Sequence, residues 1–437
     1  MQMENVPENV RGYLMEAYAS AKQWRLPNGK TAPCFKPVPL KEVGVIGGGT
    51  MGRGIAIAVA RAGYRAILIE NDKKLLESAK TELAKAVDRE VKMKRLSKTE
   101  AEKVHQNLTY SVDLNALKNC DLVIEAIFEN MEQKKVLFGK LNKICKKGCI
   151  LGTNTSSLDI DELASPLSDR SRLVGIHFFN PAHVMKMIEI IAGSFTSGEA
   201  VATAFEVSNR MKKLPVLVGN CPGFVFNRIL FVYSEIIGEL MSLYGFFPKQ
   251  VDKMMMDFGI AMGPAAMWDM NGIDVGAKVA EAHGWRQTEL QKKLMKLGRY
   301  GRKTGRGYYV YNKEGRKVVD PEVETMIKEL KEAPAKRVQI NGEKDALDFV
   351  LFPTVNEAFK LIEEGMIADL SQIDLMLVFG MGWPVKTGGL VKYVLDNVGL
   401  HKVKARLDEW YSETGLTIFK PSKMLDAFEK KPFKARL

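Results

Sequence analysis

Cysteine is scarce in this chain: five residues in 437, at positions 34, 120, 145, 149 and 221. None forms a C-x-x-C pair, and Cys145 and Cys149 have no histidine near them in sequence. That usage fits a reducing intracellular compartment better than a disulfide scaffold or a zinc site. Long apolar runs are missing too. A membrane-spanning helix needs roughly 18 consecutive apolar residues. The most apolar long stretch, residues 228–247, carries Glu235 and Glu239 on one helical face. No integral membrane segment is expected, and no metal site. The opening MQMENVPENV holds two glutamates and no apolar core, unlike a secretory signal or an acid-poor transit peptide. Core-forming residues are plentiful: 46% of the chain is hydrophobic and 27% charged, which excludes disorder and fibrous repeats.

What is abundant is positive charge. Lys and Arg number 64 against 52 Asp and Glu, leaving +12 at pH 7. Such a surplus suits an anionic partner (nucleic acid, a membrane surface or a phosphorylated small molecule) or a plain lysine-rich surface. No nucleic-acid recognition motif accompanies it, so nucleic acid is not an expected partner. Length alone suggests about three domains.

The N-terminal half alternates strands and helices. Residues 1–40 read as a helix with Val10 and Leu14 on its apolar stripe, then a linker punctuated by Pro and Gly. Residues 42–46, EVGVI, form an apolar strand that runs into Gly47-Gly-Gly49-Thr-Met-Gly52 and a helical pattern ending near Gly63. The next strand, residues 66–69, is followed by Glu70, 18 positions beyond Gly52. A lone G-x-G-x-x-G means little. Between a strand and a helix, with an acid closing the second strand, it is a dinucleotide fingerprint. Gly47 allows the tight turn, Gly49 lets a pyrophosphate approach the backbone, and Gly52 lets helix pack on strand. The helix N-terminus favours the diphosphate charge. Glu70 would accept from the ribose hydroxyls and repel a 2′-phosphate, which selects NAD over NADP.

A Lys-rich helical stretch then spans residues 72–105, followed by a strand at 121–125, a helix at 133–146 and a strand at 149–152. This alternation predicts a right-handed βαβ array around a parallel sheet, with ligands off the carboxyl ends of the strands. Glu129, Asn154 and Ser156 fall at those ends. Farther on, His177 lies in the apolar run LVGIHFFNP and Glu189 in MIEII. A histidine in an apolar strand is commonly a hydrogen-bonded core residue. Two features point instead to chemistry. Asn180-Pro181 ends the strand beside His177, and a carboxylate buried at Glu189 needs a partner. An imidazole is the simplest one, and a His–carboxylate pair beside a nicotinamide is a general base.

The segments GGGTMGRGIA, EAIFENMEQK, NTSSLDI, GIHFFNPAHVMKMIEII and PGFVFNRIL, in order between residues 41 and 310, resemble the L-3-hydroxyacyl-CoA dehydrogenase family. The likeness is greatest to the dehydrogenase half of the peroxisomal multifunctional enzymes of β-oxidation. ASAKQWRLPNGK is similar to the linker after their hydratase/isomerase domain, for which 40 residues leave no room. The resemblance implies a Rossmann-type NAD-binding domain, then an all-α domain, and NAD-dependent oxidation of (S)-3-hydroxyacyl-CoA to 3-oxoacyl-CoA. It makes His177 the base for the 3-hydroxyl proton and Glu189 its orienting carboxylate. Ser156 would hydrogen-bond the substrate oxygen, and Asn227 would fix the reacting group and the imidazole. Asn180, Glu129, Lys134 and Lys303 become cofactor contacts, beside Asn154 at its strand end. Lys92 and Lys94 are candidates for the CoA 3′-phosphate, with a solvated helix face as the plainer reading. The competing functions are a short-chain 3-hydroxybutyryl-CoA dehydrogenase and a catalytically silent, crystallin-like dinucleotide-binding protein.

After Pro222 helices replace strands. Glu235 and Asp252 stand 17 apart, as do Glu357 and Asp374. Each pair is followed by Phe-Gly and a proline, at Phe258 and Pro264 and at Phe379 and Pro384. This is an internal duplication at an offset of 122 residues, so the all-α domain is expected in two tandem copies. The second is degenerate, because Phe349 stands opposite Asn227. The expected divisions are 1–40 (helix and linker), 41–218 (Rossmann domain), 219–310 (first helical domain), 311–344 (linker) and 345–437 (second helical domain). One chain would then supply both halves of a helical interface, predicting a monomer with a homodimer as the alternative. The closing Ala435-Arg436-Leu437 resembles the Ser-Lys-Leu peroxisomal address, the mitochondrial matrix being the alternative location.

Overall fold

A computed structural model describes residues 6–26 and 30–430. The chain forms two compact units, one of residues 16–224 with 366–368, the other of the remaining described residues.

The first unit is built on one sheet. Its strands are β1 (Glu42–Ile46), β2 (Arg65–Ile69), β3 (Leu108–Ser111), β4 (Leu122–Glu125), β5 (Ile150–Thr153), β6 (Leu173–Phe178), β7 (Met187–Ala192) and β8 (Leu214–Gly219). Their order is β3-β2-β1-β4-β5-β6-β7-β8. Strands β4 to β7 are buried along their whole length, as near-continuous apolar runs in a covered sheet must be. All neighbours pair in parallel except β6 and β7, which are antiparallel. The expectation of a parallel array therefore fails at that pair. Only eight residues join β6 to β7, too few for the crossover of a dozen or so that a parallel connection needs.

Helices α2 (Thr50–Arg61), α3 (Lys73–Lys92), α4 (Lys98–Gln106) and, farther along, α7 (Gly198–Arg210) bury their apolar faces in the main core of this unit. The single helical stretch expected over 72–105 is thus two helices. The break lies at a capping box: Ser97 Oγ accepts from the Glu100 N–H (3.2 Å), and Glu100 accepts from the Ser97 N–H (2.8 Å). Helices α5 (Met131–Ile144) and α6 (Ile160–Leu163) precede and follow β5. Helix α1 (Glu8–Lys22) contributes to both units, and Trp24 just after it stacks on Phe35 and lies against Phe205 within the first.

The second unit is helical: α8 (Phe224–Ser242), α9 (Pro248–Phe258), α10 (Pro264–Asn271), α11 (Ile273–Ala282), α12 (Glu289–Lys296), α13 (Pro321–Glu332), α14 (Gly342–Glu363), α15 (Leu370–Met376), α16 (Leu390–Asn397) and α17 (Leu400–Thr414). Strands do not stop altogether, since Val310–Tyr311 and Lys317–Val318 pair as a short antiparallel ribbon. The stretch read as a linker carries α13, with Val323 and Ile327 buried. Two aspartates have parallel roles. Asp252 on α9 accepts from the Ala265 N–H in the first turn of α10 and from the Tyr309 hydroxyl, each at 2.8 Å. Asp374 on α15 accepts from the Val391 and Lys392 N–H groups opening α16 and from the Tyr13 hydroxyl of α1, each at 2.8 Å. Among the described residues no helix is long and apolar enough to cross a membrane.

Candidate active site

The loop after β1 is shaped by what its glycines lack. Gly47 has φ +109°, and a Cβ there would lie 2.4 Å from the Ala126 carbonyl oxygen. A Cβ on Gly52 would lie 1.8 Å from the Gly47 carbonyl oxygen, so helix and turn could not close on each other. At Gly49 the added atom would meet nothing within 4 Å. Gly49 also precedes α2 without a side-chain cap, leaving the first N–H groups of that helix directed at this open side. The Glu70 carboxylate closes the cradle, accepting from the Gly48 N–H (2.7 Å) and the Asn71 N–H (2.8 Å). An open, uncapped helix N-terminus beside a fixed carboxylate fits a dinucleotide's pyrophosphate and ribose.

At the ends of β4 and β5 lies a buried charge network. Lys134 on α5 is 1% exposed and places Nζ 3.0 Å from Glu125 Oε1 and 2.8 Å from Glu129 Oε2. Glu125 also accepts from Thr153 Oγ1 (2.6 Å) and the Ile127 N–H (2.8 Å). Glu129 accepts from Thr155 Oγ1 (2.6 Å), the Ser156 N–H (2.9 Å) and Ser156 Oγ (3.3 Å). Burial pushes the Glu129 carboxyl up, but the Lys134 ammonium and these donors outweigh it and hold it below the usual carboxylate range. Asn154 is braced between strands: its Oδ1 accepts from the Phe178 N–H and its own N–H donates to the Glu125 carbonyl, both at 2.8 Å. Thus Glu129, Lys134, Asn154 and Ser156 come together as one hydrogen-bonded cluster. Glu125, Thr153 and Thr155 belong to it as well, although sequence reading missed them.

The antiparallel β6–β7 pair sets His177 directly opposite Glu189. His177 Nδ1 lies 2.8 Å from Glu189 Oε2, with the two residues 6% and 0% exposed. A buried carboxylate accepts from Nδ1–H, so the imidazole is held in the tautomer whose Nε2 carries a lone pair. Phe179 and Phe224 flank the ring, at centroid distances of 4.6 and 5.9 Å. Asn180 is exposed two residues past the end of β6.

Asn180 also borders a groove of about 390 Å³ whose walls carry Arg53, Lys85, Arg89, Arg95 and His183, with Glu82 and Glu90. Lys92 and Lys94 are exposed and lie outside this groove. Of the cations that line it, Lys85 and Arg89 are on α3, where Glu82, Lys85, Ala86, Arg89, Glu90 and Met93 recur at spacings of three and four; Arg53 comes from α2, and Arg95 and His183 from loops. That periodicity was available in the sequence. In the helical unit, Asn227 on α8 lines a separate cavity, and Lys303 Nζ pairs with Asp274 Oδ1 at 2.5 Å.

A Rossmann-type sheet with this cradle and a His–carboxylate pair defines a nicotinamide-dependent oxidoreductase. The description "3-hydroxyacyl-CoA dehydrogenase, NAD binding domain" matches residues 42–221, and "3-hydroxyacyl-CoA dehydrogenase, C-terminal domain" matches residues 223–311 and 347–435. The dehydrogenase part of multifunctional enzyme 1 from C. elegans is 43% identical, with 96% of each chain covered and a TM-score of 0.72. (S)-3-hydroxybutyryl-CoA dehydrogenase from Ralstonia eutropha is 33% identical, covering 63% of this chain and 100% of its own, with a TM-score of 0.60. The peroxisomal bifunctional enzyme of Danio rerio is 38% identical over 91% of this chain, which spans 57% of that protein's length. The chain belongs to the 3-hydroxyacyl-CoA dehydrogenase family, whose cofactor is NAD.

Proposed function

We propose that the protein oxidises (S)-3-hydroxyacyl-CoA to 3-oxoacyl-CoA in fatty-acid β-oxidation. NAD, when bound, supplies the acceptor for the hydride that leaves C3. His177 Nε2 takes the proton of the 3-hydroxyl. Glu189 holds the ring and stabilises the imidazolium, and Ser156 hydrogen-bonds the substrate oxygen. Gly47, Gly49, Gly52 and Glu70 hold the dinucleotide, with Glu129, Lys134, Asn154 and Asn180 toward its nicotinamide end. Asn227 is assigned to the acyl-CoA near its reacting carbon and Lys303 to the cofactor. The cationic groove beside α3 suits the phosphates of CoA. One observation carries the reading: the buried 2.8 Å contact between His177 and Glu189.

The helical part is read as two tandem copies, 219–310 and 345–437, after the Rossmann domain (41–218). The paired Asp252 and Asp374 support this, as do the two stretches that match one domain description. A monomer with an internal pseudo-dimer follows from that reading. A peroxisomal location is supported by the names of the relatives, while Ala435-Arg436-Leu437 lies outside the described residues.

The test is NADH oxidation with acetoacetyl-CoA. Turnover is expected, with NADPH about tenfold or more less efficient because of Glu70. A folded protein that binds NADH and turns nothing over overturns the reading, and equal use of NADPH overturns the part given to Glu70.

A further inference from the structure

The helical unit carries an open cavity of about 230 Å³ among α8, α10, α11 and α12. Asn227, Leu230, Phe231, Ser234 and Glu235 meet it at spacings of three and four, which is one face of α8. Ile273 and Val279 of α11 extend the apolar wall. Glu235 stands eight residues beyond Asn227, so roughly 12 Å farther along the helix axis. There its carboxylate accepts from Arg286 (3.2 Å), which also pairs with Glu239 (2.9 Å). The space therefore runs from an amide, between apolar walls, to an ion pair.

Gly276 on α11 keeps it open, since a Cβ there would meet nothing nearer than Gln291 Nε2 at 4.0 Å. The matching face of α14 is closed. At the same offset stand Phe349 and Phe352, packed with Trp410 at centroid distances of 5.2 and 6.0 Å. A cavity of roughly 150 Å³ holds the six carbons of benzene, so this one holds roughly nine in proportion.

Resting on the reading that Asn227 meets the acyl-CoA near its reacting carbon, we propose that this cavity is the subsite for the acyl tail and that the Glu235–Arg286 pair limits it to medium length. A longer tail would have to part the ion pair and leave a partly buried charge against a methyl end. The pair and Gly276 are thus specificity-determining and do not act in the hydride step.

The experiment is kcat/KM, in the full chain, for 3-oxoacyl-CoA substrates of four, eight, twelve and sixteen carbons with NADH. In the parent, efficiency is expected to rise by up to about fourfold per added methylene while the cavity fills, and to fall by sixteen carbons. Gly276→Leu is expected to lower the twelve-to-four ratio about tenfold or more. Glu235→Ala removes the carboxylate that ends the cavity and leaves Arg286 paired with Glu239, and it is expected to raise the sixteen-to-twelve ratio about threefold. No turnover at any length overturns the dehydrogenase reading and this proposal with it. Turnover with a flat length profile, or ratios in both variants within about twofold of the parent, overturns the tail subsite alone. If Gly276→Leu does not fold, the Glu235→Ala ratio decides.

Discussion

At Asn227 on α8 and Phe349 on α14, 122 residues apart, the two helical segments part ways. Both keep a buried aspartate that ties one helix to the first turn of the next and takes a tyrosine hydroxyl. The tyrosines come from different places: Tyr309 stands at the end of the first segment itself, whereas Tyr13 belongs to α1, outside the second. Beside this common frame, the α8 face borders a cavity and the α14 face is filled by aromatic rings. Glycine and an amide leave room for a ligand. Phenylalanine and tryptophan fill the same kind of face and add to the core.

The largest effects should separate these uses. Phe349→Ala removes a buried ring that touches Tyr244, Trp410 and Phe419. It is expected to cost about 3–5 kcal/mol in urea denaturation and to leave KM for acetoacetyl-CoA unchanged. Asn227→Ala is expected to do the reverse, lowering kcat/KM about 10²–10³-fold with little change in unfolding. Similar kinetic losses in both variants would erase the distinction.

A smaller effect concerns the aspartate of the second segment. Burial pushes the Asp374 carboxyl up to about 7, although two N–H groups and the Tyr13 hydroxyl pull the other way. A carboxyl raised on folding contributes stability that is complete below its unfolded value near 4 and is lost as pH climbs through about 7. The slope is at most about 1.4 kcal/mol per pH unit. Urea midpoints of the parent should therefore fall relative to those of Asp374→Asn between about pH 4 and about pH 7, and level off above it. A difference independent of pH would show that Asp374 stays ionised throughout.

Much of the fold was legible because its signals are local. The glycine turn and its following acid, the apolar strands and the single polar residue in each of LVGIHFF and MIEII could be read directly. The Ser97–Glu100 capping box and the face of α3 that carries Lys85 and Arg89 were equally local and went unread. What could not be read was set by tertiary pairing. The reversal at β7 depends on how the chain turns after Asn180. The burial of Lys134 between Glu125 and Glu129 arises only when β4, β5 and α5 converge. The cavity beside α8 comes from four helices that no local pattern brings together.

The most direct test of the central claim is single-turnover NADH oxidation with acetoacetyl-CoA in the parent and in His177→Gln. The 2.8 Å His177–Glu189 pair as general base predicts a loss of about 10²–10⁴-fold in the chemical step, with NADH binding retained. A folded His177→Gln protein that reacts within about tenfold of the parent would contradict it.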